Sequence, residues 1–311
     1  MNIVFFGSPS TARTSLDRII KAGFDVRLVI TQPDRPAGRG KCLRPSQIKL
    51  CALEHGIPLL QPGRIRKDPE ALELLKRIRP DLNVVVAYGQ IIPASLVYLP
   101  QFNSVNLHFS LLPAYRGAAP VQWAIRQGEE ETGVTIFELN EKMDEGPILA
   151  RRHVAIHPEE NALELEDRLA QVGADLLIET ISRIRGLKSE PQDHGLATYA
   201  PLIKKEDGRI DWSLPAVSVD RQVRAFNPWP STFTFQGGRR LKILRGQVPG
   251  TGGCPGGMPG QIQDVTPEGI DICCGDGRLY RILSLQPANK PAMSAHAFSL
   301  GAHLRSGDSW D

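Results

Sequence analysis

The chain has 311 residues, of which 41% are hydrophobic and 23% charged. These values exclude a disordered or fibrous protein, and the length favours two domains over one. The net charge of +3 is too small, as a total, to indicate a nucleic-acid-binding protein.

The sequence shows little evidence of targeting segments, disulfide bonds or cysteine-bound metal. The first residues lack a basic stretch followed by an apolar one, and no apolar run approaches the roughly 18 residues of a membrane helix. The five cysteines are odd in number and irregularly spaced, which favours neither a disulfide framework nor a zinc site. We therefore expect a cytoplasmic protein with no membrane partner, and Cys273 and Cys274 as small buried side chains.

The first part of the chain alternates predicted strands and helices. A helix is predicted after residues 8–11, with Leu16, Ile19 and Ile20 at helical spacing. Two more helices are predicted at 69–78 and 162–184, and strands at 2–7, 26–31, 82–88, 104–108 and 134–139. Apolar strands without alternation are typical of a sheet covered on both faces. The pattern predicts an α/β, Rossmann-like domain with an open, mostly parallel sheet.

The pattern of apolar and polar residues changes after Gly186. Residues 190–208 are polar and contain proline and glycine breakers, which predicts a linker between residues 1–189 and 209–311. Beyond the linker the helical pattern stops, and short β-like runs follow at 232–235, 241–244 and 279–285. A segment of about 100 residues with this pattern predicts a small all-β barrel of the oligonucleotide-binding (OB-like) type.

The turns near the amino terminus do not match nucleotide-binding motifs. Gly7 is the only glycine in the turn after the first strand, where a dinucleotide fingerprint needs three. The 38–42 segment lacks the Ser or Thr of a phosphate loop. His153 and His157 lie four residues apart without a third ligand. We therefore expect no nucleotide cofactor and no metal.

A polar row at 106–110 is the first feature that indicates chemistry. On a strand, Asn106, His108 and Ser110 project to one face, at the carboxyl end where open α/β sheets bind ligands. Asp144 follows another predicted strand and could lie beside His108, where a carboxylate favours a charged imidazole. Ser110 lacks the glycines of a nucleophile elbow, so direct transfer through a tetrahedral intermediate is the better interpretation.

At these residues the sequence resembles a known family. Asn106-x-His108, the Ser110-Leu-Leu-Pro-x-x-Arg-Gly run and Asp144 resemble the signature of formyltransferases that use 10-formyltetrahydrofolate. Segments 31–41, 85–89, 117–122, 210–213 and 224–230 resemble the branch of that family that formylates methionyl-tRNA. Phe109 departs from the pattern, since a small residue is more common there. By strand alternation its ring points away from the polar row.

The resemblance implies a formyl-transfer domain at 1–189 and a tRNA-binding domain at 209–311. It implies catalytic roles for Asn106, His108 and Asp144, and formylation of initiator methionyl-tRNA for translation initiation. Eight residues would line the folate pocket, namely Val86, Ala87, Tyr88, Gly89, Ser110, Leu111, Leu112 and Pro113. The formyl donor would be 10-formyltetrahydrofolate, and a monomer is expected.

Two basic stretches fit the tRNA that the resemblance implies. Residues 35–53 contain five basic side chains and no acid, and residues 221–263 contain six and no acid. Residues 209–311 hold 11 basic and 8 acidic side chains, so the whole excess of three lies there. Phosphate neutralisation needs such surfaces. The predicted tRNA contacts are Arg35, Arg39, Lys41, Arg44, Arg239, Arg240 and Lys242.

Three alternatives remain open from the sequence. A formyltransferase that acts on a small amine would share the same catalytic core, but would not need the basic stretches. A hydrolase that releases formate from the same folate is the second. A non-catalytic RNA-binding protein is the third, although it would have no use for Asn106, His108 and Asp144 together.

Overall fold

The structure is a computed structural model that describes residues 1–37, 42–250 and 252–311. The chain forms two compact units. The first comprises Met1–Pro120, Glu131–Ala155 and Glu166–Ala200, and the second comprises Val121–Glu130, Ile156–Leu165 and Pro201–Asp311.

Strands and helices alternate along the chain as far as residue 200. In order they are β1 (Asn2–Gly7), α1 (Ser10–Lys21), β2 (Asp25–Ile30), β3 (Arg35–Ala37), β4 (Cys42–Arg44), α2 (Gln47–Glu54), β5 (Leu59–Leu60), α3 (Pro69–Ile78), β6 (Leu82–Val86), α4 (Ala94–Val97), β7 (Ser104–His108), β8 (Arg116–Gly117), α5 (Pro120–Gln127), β9 (Glu131–Glu138), β10 (Ile148–Ala155), α6 (Ala162–Arg183) and β11 (Tyr199–Ala200).

Seven strands of the first unit form one sheet in the order β10-β9-β7-β6-β1-β2-β5. The five strands from β7 to β5 are mutually parallel, whereas β9 pairs antiparallel with both of its neighbours, β7 and β10. This confirms the predicted Rossmann-like, mostly parallel sheet. Strand β10 had not been predicted, because only two of its eight residues are buried and its sequence carries no apolar run.

The inner strands of this sheet are buried, which explains why their sequences are continuous apolar runs. All five residues of β6 are buried, as are Ile3, Val4, Phe5 and Phe6 of β1. On β7, Leu107 packs against α6, since a Cβ atom added to Gly173 would lie 2.9 Å from the Leu107 methyl groups. By strand alternation, Asn106 and His108 project from the opposite face.

The second unit is built on an antiparallel sheet. After residue 200 the elements are α7 (Ala216–Phe226), β12 (Thr232–Gln236), β13 (Arg239–Gln247), β14 (Ile262–Thr266), β15 (Gly269–Cys273), β16 (Leu279–Pro287), β17 (Met293–Ser294) and α8 (Ala295–Ala302). The strands pair in the order β12-β13-β16-β15-β14, with β17 added to β16. The predicted C-terminal β domain is confirmed.

The expectation that helices stop after the linker is wrong at α7 and α8. Helix α7 follows Pro215, and it buries Val219, Val223 and Phe226 at helical spacing. Helix α8 begins after Ser294, whose hydroxyl accepts a hydrogen bond from the Ala297 N–H. Both helices are short and lie among β-forming sequence, so their periodicity covers too few turns to stand out.

One cysteine pair also departs from expectation. Cys254 and Cys273 are buried and form a disulfide, with Cα atoms 5.8 Å apart. The N–H of Cys254 donates to the Gly277 carbonyl, which brings a glycine- and proline-rich loop against β15. The 19-residue separation matches no disulfide framework, so sequence spacing did not reveal the pair. Cys274 is a free buried thiol.

None of the helices in the described part of the chain is both long and apolar enough to cross a bilayer.

Candidate active site

Asn106 and His108 lie on β7 near its carboxyl end, beside the end of β6. Asn106 is paired with Val85 of β6, and the next residues of β6 lead into the predicted folate segment. Asn106 is half-buried, and its amide has no hydrogen-bonding partner among the described residues. Two of the predicted catalytic side chains therefore share one strand face.

The His108 ring is held between two elements of the first unit. Its Nε2 atom lies 2.9 Å from the Tyr115 carbonyl oxygen. Because a carbonyl oxygen can only accept, this contact requires a proton on Nε2. The Nδ1 atom then faces Asp144, with Oδ2 at 3.9 Å. The ring is 7% exposed and meets Phe137 edge-on, so its orientation is fixed by packing as well.

Asp144 lies in the loop between β9 and β10, and its side chain is 15% exposed. Oδ2 accepts a 2.8 Å hydrogen bond from the Gly117 N–H. The Asp144 backbone has φ of +54°, a conformation that costs an ordinary residue about 1–2 kcal/mol. The structure thus brings together the three residues of the predicted catalytic group, with the carboxylate held toward the imidazole.

A second, fully buried set of contacts holds the same loop. Arg116 is 1% exposed, and its Nε and Nη2 atoms donate to Gln192 Oε1 at 3.1 and 2.7 Å. Gln192 Nε2 donates to the carbonyl oxygens of Asp144 and Gly146 at 2.8 and 2.7 Å. Arg116 also lies 3.6 Å from the carboxylate of Glu145.

Sequence reasoning missed Gln192 altogether and assigned Arg116 no role. Arg116 belongs to the Leu-Leu-Pro-x-x-Arg-Gly run, whose spacing could have drawn attention to it. Gln192 lies 48 residues beyond Asp144 in a polar stretch without periodicity, so no sequence signal indicated it.

Residues 190–200 form part of the first unit's structure. The N–H of Glu190 donates to the Ile148 carbonyl at 2.8 Å, and the reverse bond is 2.7 Å long. Strand β11 pairs in parallel with β8, next to Arg116. This segment therefore supports both the 115–118 turn and the loop that carries Asp144.

The Ser110–Pro113 turn is buried and internally hydrogen-bonded. The Ser110 hydroxyl donates to the Ala114 carbonyl at 2.6 Å. Thr135 accepts from the Leu112 N–H and donates to the Ser110 carbonyl. Leu111 and Pro113 are half-buried, whereas Leu112 is buried against Phe137. A hydroxyl engaged in this way agrees with the prediction that Ser110 is not a nucleophile.

The 86–89 segment continues from β6 beside this turn. Val86 and Tyr88 are buried, whereas Ala87 and Gly89 are exposed and have φ of +46° and +74°. Gln32 Nε2 donates to the Tyr88 carbonyl at 2.8 Å. Burial raises the pKa of the Tyr88 hydroxyl well above its ordinary value, so this side chain is a neutral packing group.

A cavity of about 360 Å³ adjoins this segment. Gln90 fixes one wall, because its side chain accepts from the Ile65 N–H at 2.9 Å and donates to the Pro62 carbonyl at 3.1 Å. The lining comprises Gln32, Pro33, Arg35, Gly63, Arg64, Arg66, Gly89, Gln90 and Ile91, with three arginines and no acidic side chain. Such a cavity suits an anionic group.

The structure places the predicted tRNA contacts of the first unit only in part. Arg35 and Arg44 are paired in the β3-β4 hairpin, and both are exposed. Arg39 and Lys41 lie outside the described residues. The stretch had been interpreted as a loop, but its two described flanks form a short antiparallel ribbon.

The three predicted contacts of the second unit, Arg239, Arg240 and Lys242, lie on β13. Leu241 and Ile243 point into the core, so Arg240 and Lys242 project to the other face. The Arg240 guanidinium lies over the Phe233 ring at 3.6 Å, and Arg209 lies over Phe235 at 5.7 Å.

Phe233 and Phe235 had not been predicted as part of this surface. They alternate with Thr232 and Thr234 on β12, and this alternation was the available signal. Phe235 is paired with Arg240, and Phe233 with Lys242, so aromatic and basic side chains share one face.

A separate cluster contains residue types that can ligate metals. Asp17, Cys51 and His55 place ligand atoms within 4.8 Å of one another. Cys51 Sγ donates to Asp17 Oδ1 at 3.0 Å, and Arg13 lies 3.5 Å from Oδ2 of the same carboxylate. Burial and Asp17 raise the pKa of the Cys51 thiol to about 12. The carboxylate is thus already engaged by a thiol and a guanidinium.

Comparison with known proteins assigns the family. Residues 1–181 match the formyl transferase family, and residues 202–303 match the formyl transferase C-terminal domain. A methionyl-tRNA formyltransferase of Geobacter metallireducens is 43% identical over 309 residues, which is 99% of this chain and 97% of that protein. One of Chloroflexus aggregans is 43% identical over 305 residues, covering 97% of this chain and 98% of that protein.

Solved structures agree at the level of the fold. An N-formyltransferase from Helicobacter canadensis, in complex with folinic acid and dTDP-3-aminofucose, superposes with a TM-score of 0.68 at 21% identity. The match covers 92% of this chain and 98% of that one. The two matched domains and the full-length relatives together show that the chain belongs to the formyl transferase family, within the methionyl-tRNA formyltransferase branch.

Proposed function

We propose that this protein transfers the formyl group of 10-formyltetrahydrofolate to the free α-amine of methionyl initiator tRNA. The observation that carries the proposal is the group of buried His108 with half-buried Asn106 and Asp144 at the carboxyl edge of the sheet. The full-length relatives that bear the name methionyl-tRNA formyltransferase support the choice of acceptor. The products are N-formylmethionyl-tRNA and tetrahydrofolate.

The reaction requires stabilisation of one developing charge. The amine nitrogen attacks the formyl carbon, a new C–N bond forms, and the carbonyl oxygen becomes an oxyanion. Collapse breaks the bond between the formyl carbon and N10 of the folate, and N10 takes up the proton that the amine loses. Asn106 supplies an amide N–H for the oxyanion. Such a donor lowers the barrier by roughly 2.7–4 kcal/mol at comparable sites.

His108 and Asp144 handle the proton and the charge. Because Nε2 already donates to the Tyr115 carbonyl, Nδ1 is the ring nitrogen that can receive a proton. The imidazolium that results faces Asp144 Oδ2, which the Gly117 N–H keeps in place. The carboxylate therefore orients the ring and stabilises its charged form during transfer.

The folate pocket is proposed at Val86–Gly89 and Ser110–Pro113. These segments end adjacent strands of the sheet and present an exposed backbone at Ala87 and Gly89. The cavity beside Gly89 is lined by Arg35, Arg64 and Arg66, and it matches the carboxylates of the folate's glutamyl tail.

The acceptor tRNA is proposed to contact both units. In this proposal residues 1–189 perform formyl transfer with structural support from the 190–200 segment, residues 190–208 connect the two domains, and residues 209–311 bind tRNA. Arg35, Arg39, Lys41 and Arg44 would meet the acceptor end, while Arg239, Arg240 and Lys242 would neutralise phosphates. Phe235, a half-buried aromatic side chain on the same face, adds a surface on which an unpaired base can stack. The enzyme is further proposed to act in the cytoplasm, as a monomer.

One experiment tests the activity directly. The protein is incubated with formyl-labelled 10-formyltetrahydrofolate and methionyl initiator tRNA, and label is measured in the aminoacyl moiety. Label in N-formylmethionine is expected. Label that appears only as free formate in the absence of acceptor would indicate a hydrolase. Transfer to a small amine but not to methionyl-tRNA would indicate a different formyltransferase.

A further inference from the structure

Gln192 occupies a place in the first unit where one amide side chain joins two structural elements. Its Oε1 atom accepts both hydrogen bonds from Arg116, and its Nε2 atom donates both to the carbonyls of Asp144 and Gly146. The side chain is 5% exposed, so all four bonds are made away from water. Both acceptor positions and both donor positions of this amide are therefore occupied, and none is left for a ligand.

The loop that Gln192 holds needs external support. Asp144 has a left-handed backbone, a conformation that aspartate tolerates better than most residues but that is still less favourable than the ordinary one, so contacts around the loop help to hold it. The two carbonyls bonded by Gln192 flank Glu145, whose carboxylate faces the buried Arg116 guanidinium. The position of the loop is therefore determined from the 190–200 segment.

We propose that Gln192 is a positioning residue for catalysis, which acts through Asp144 and not through contact with substrate. Arg116 has a supporting role, because its two hydrogen bonds to Oε1 fix the Gln192 amide in the orientation that points Nε2 at the loop. The inference rests on the proposed catalytic role of Asp144. If the loop is released, Asp144 Oδ2 moves away from His108 Nδ1, and the imidazolium loses its counter-charge.

Two substitutions separate the halves of the Gln192 amide. Gln192→Glu keeps an oxygen for Arg116 but replaces the donor to the loop with a second acceptor. Gln192→Met removes both functions at a similar volume. Both variants should lower kcat by about ten- to a hundredfold, since small misplacements of catalytic groups have effects of that size. The KM for either substrate should change less than about threefold, because binding of the substrates in the ground state does not depend on the ion pair between protonated His108 and Asp144.

A matched control is available in the second unit. Gln222 is 4% exposed, and its Nε2 atom also donates to two carbonyls, those of Asp207 and Arg209. Gln222→Met removes the same pair of Nε2–carbonyl hydrogen bonds away from the candidate site, although Gln222 Oε1 accepts none from the residues that the structure describes. It should lower the melting temperature, yet leave kcat per folded molecule unchanged. Equal loss of kcat in the two variants would overturn the proposal.

The decisive measurement combines Gln192→Met with Asp144→Asn and follows single-turnover formyl transfer. If Gln192 acts through Asp144, the loss caused by Gln192→Met should nearly vanish in the Asp144→Asn background. Multiplicative losses, or wild-type kcat in Gln192→Met, would refute the positioning role while leaving the proposed function intact. Full activity of Asp144→Asn alone would refute the catalytic assignment itself.

Hydrogen exchange gives a readout independent of turnover. Amides of residues 144–146 should exchange faster in Gln192→Met and Gln192→Glu than in the wild type, and remain unchanged in Gln222→Met. Unchanged exchange in that loop for both Gln192 variants would contradict the proposal.

Discussion

The backbone N–H of Gly117 donates a 2.8 Å hydrogen bond to Oδ2 of Asp144, the oxygen that lies 3.9 Å from His108 Nδ1. One carboxylate oxygen thus serves both a fixed backbone donor and an imidazole. The backbone donor holds the oxygen in place whatever the protonation state of His108. In the proposed reaction the Asp144 carboxylate therefore acts as a stationary counter-charge, while the proton moves only on the ring.

His108→Ala and Asp144→Asn should remain folded and bind folate, yet lose formyl transfer. Neither substitution enlarges a side chain, and Asp144→Asn keeps an oxygen for the Gly117 N–H. The loss in kcat should be on the order of a hundredfold or more, as for other groups that stabilise a transition-state charge. Steady-state kinetics with circular dichroism as the folding control checks this, and near-normal turnover in a folded variant would contradict the assignment.

The arginine-lined cavity should control affinity for the folate and not for tRNA. Arg64→Ala and Arg66→Ala remove exposed cationic groups, so stability should stay within about 0.5 kcal/mol of wild type. The KM for the formyl donor should rise severalfold, and more for a donor with a longer glutamyl tail. Lys76→Ala, an exposed cation on α3, is the control. A rise confined to the KM for tRNA would instead place an acceptor phosphate in this cavity.

The basic and aromatic face of β12 and β13 should respond to salt. Lys242→Ala should raise the KM for tRNA and reduce the slope of its logarithm against the logarithm of salt concentration by about one. The KM for folate should be unchanged. Arg305→Ala removes an exposed charge elsewhere in the second unit and serves as the comparison. An identical salt slope in wild type and Lys242→Ala would exclude a phosphate contact there.

Two thiols should be inert at ordinary pH. Burial raises the pKa of both Cys51 and Cys274 to about 12. Because the raised pKa favours the thiol, the thiolate fraction at pH 8 is about one in ten thousand, against roughly a quarter for a free cysteine. A short iodoacetamide pulse at pH 8, read by mass spectrometry, should label neither residue until urea is added. Rapid labelling of the native protein would show that the sites open.

The sequence predicted strand β7 and the shared face of Asn106 and His108 well, because the signals for both are local. Asn106 and His108 are two residues apart, so strand alternation alone places them on one face. Asp144 was predicted from its position after a strand and from family resemblance, since nothing in its own neighbourhood specifies the contact with Gly117. Gln192 could not be predicted, because its role depends on a fold-dependent approach of segments 48 residues apart.

Helices α7 and α8 show the same limit in the second unit. Each makes about two or three turns, and residues between β-forming runs dilute the helical pattern. In α7, Val219 and Val223 are buried in the core of the second unit. The free energy gained by this burial stabilises the helix and overrides the local propensity of the sequence. Pairs of long strands, such as β13 with β16, were easier to identify because both partners carry apolar runs.

The pairing of Glu190 with Ile148 and of β11 with β8 limits how such chains can be recombined. A chimaera that exchanged the C-terminal part of the chain from residue 190 would import a foreign residue at position 192 together with the new second domain. The loop that carries Asp144 would then be held by a residue that comes from a protein with a different loop. A crossover placed after Ala200 keeps the whole support with the loop it holds, so that acceptor recognition can diverge without disturbing the chemistry.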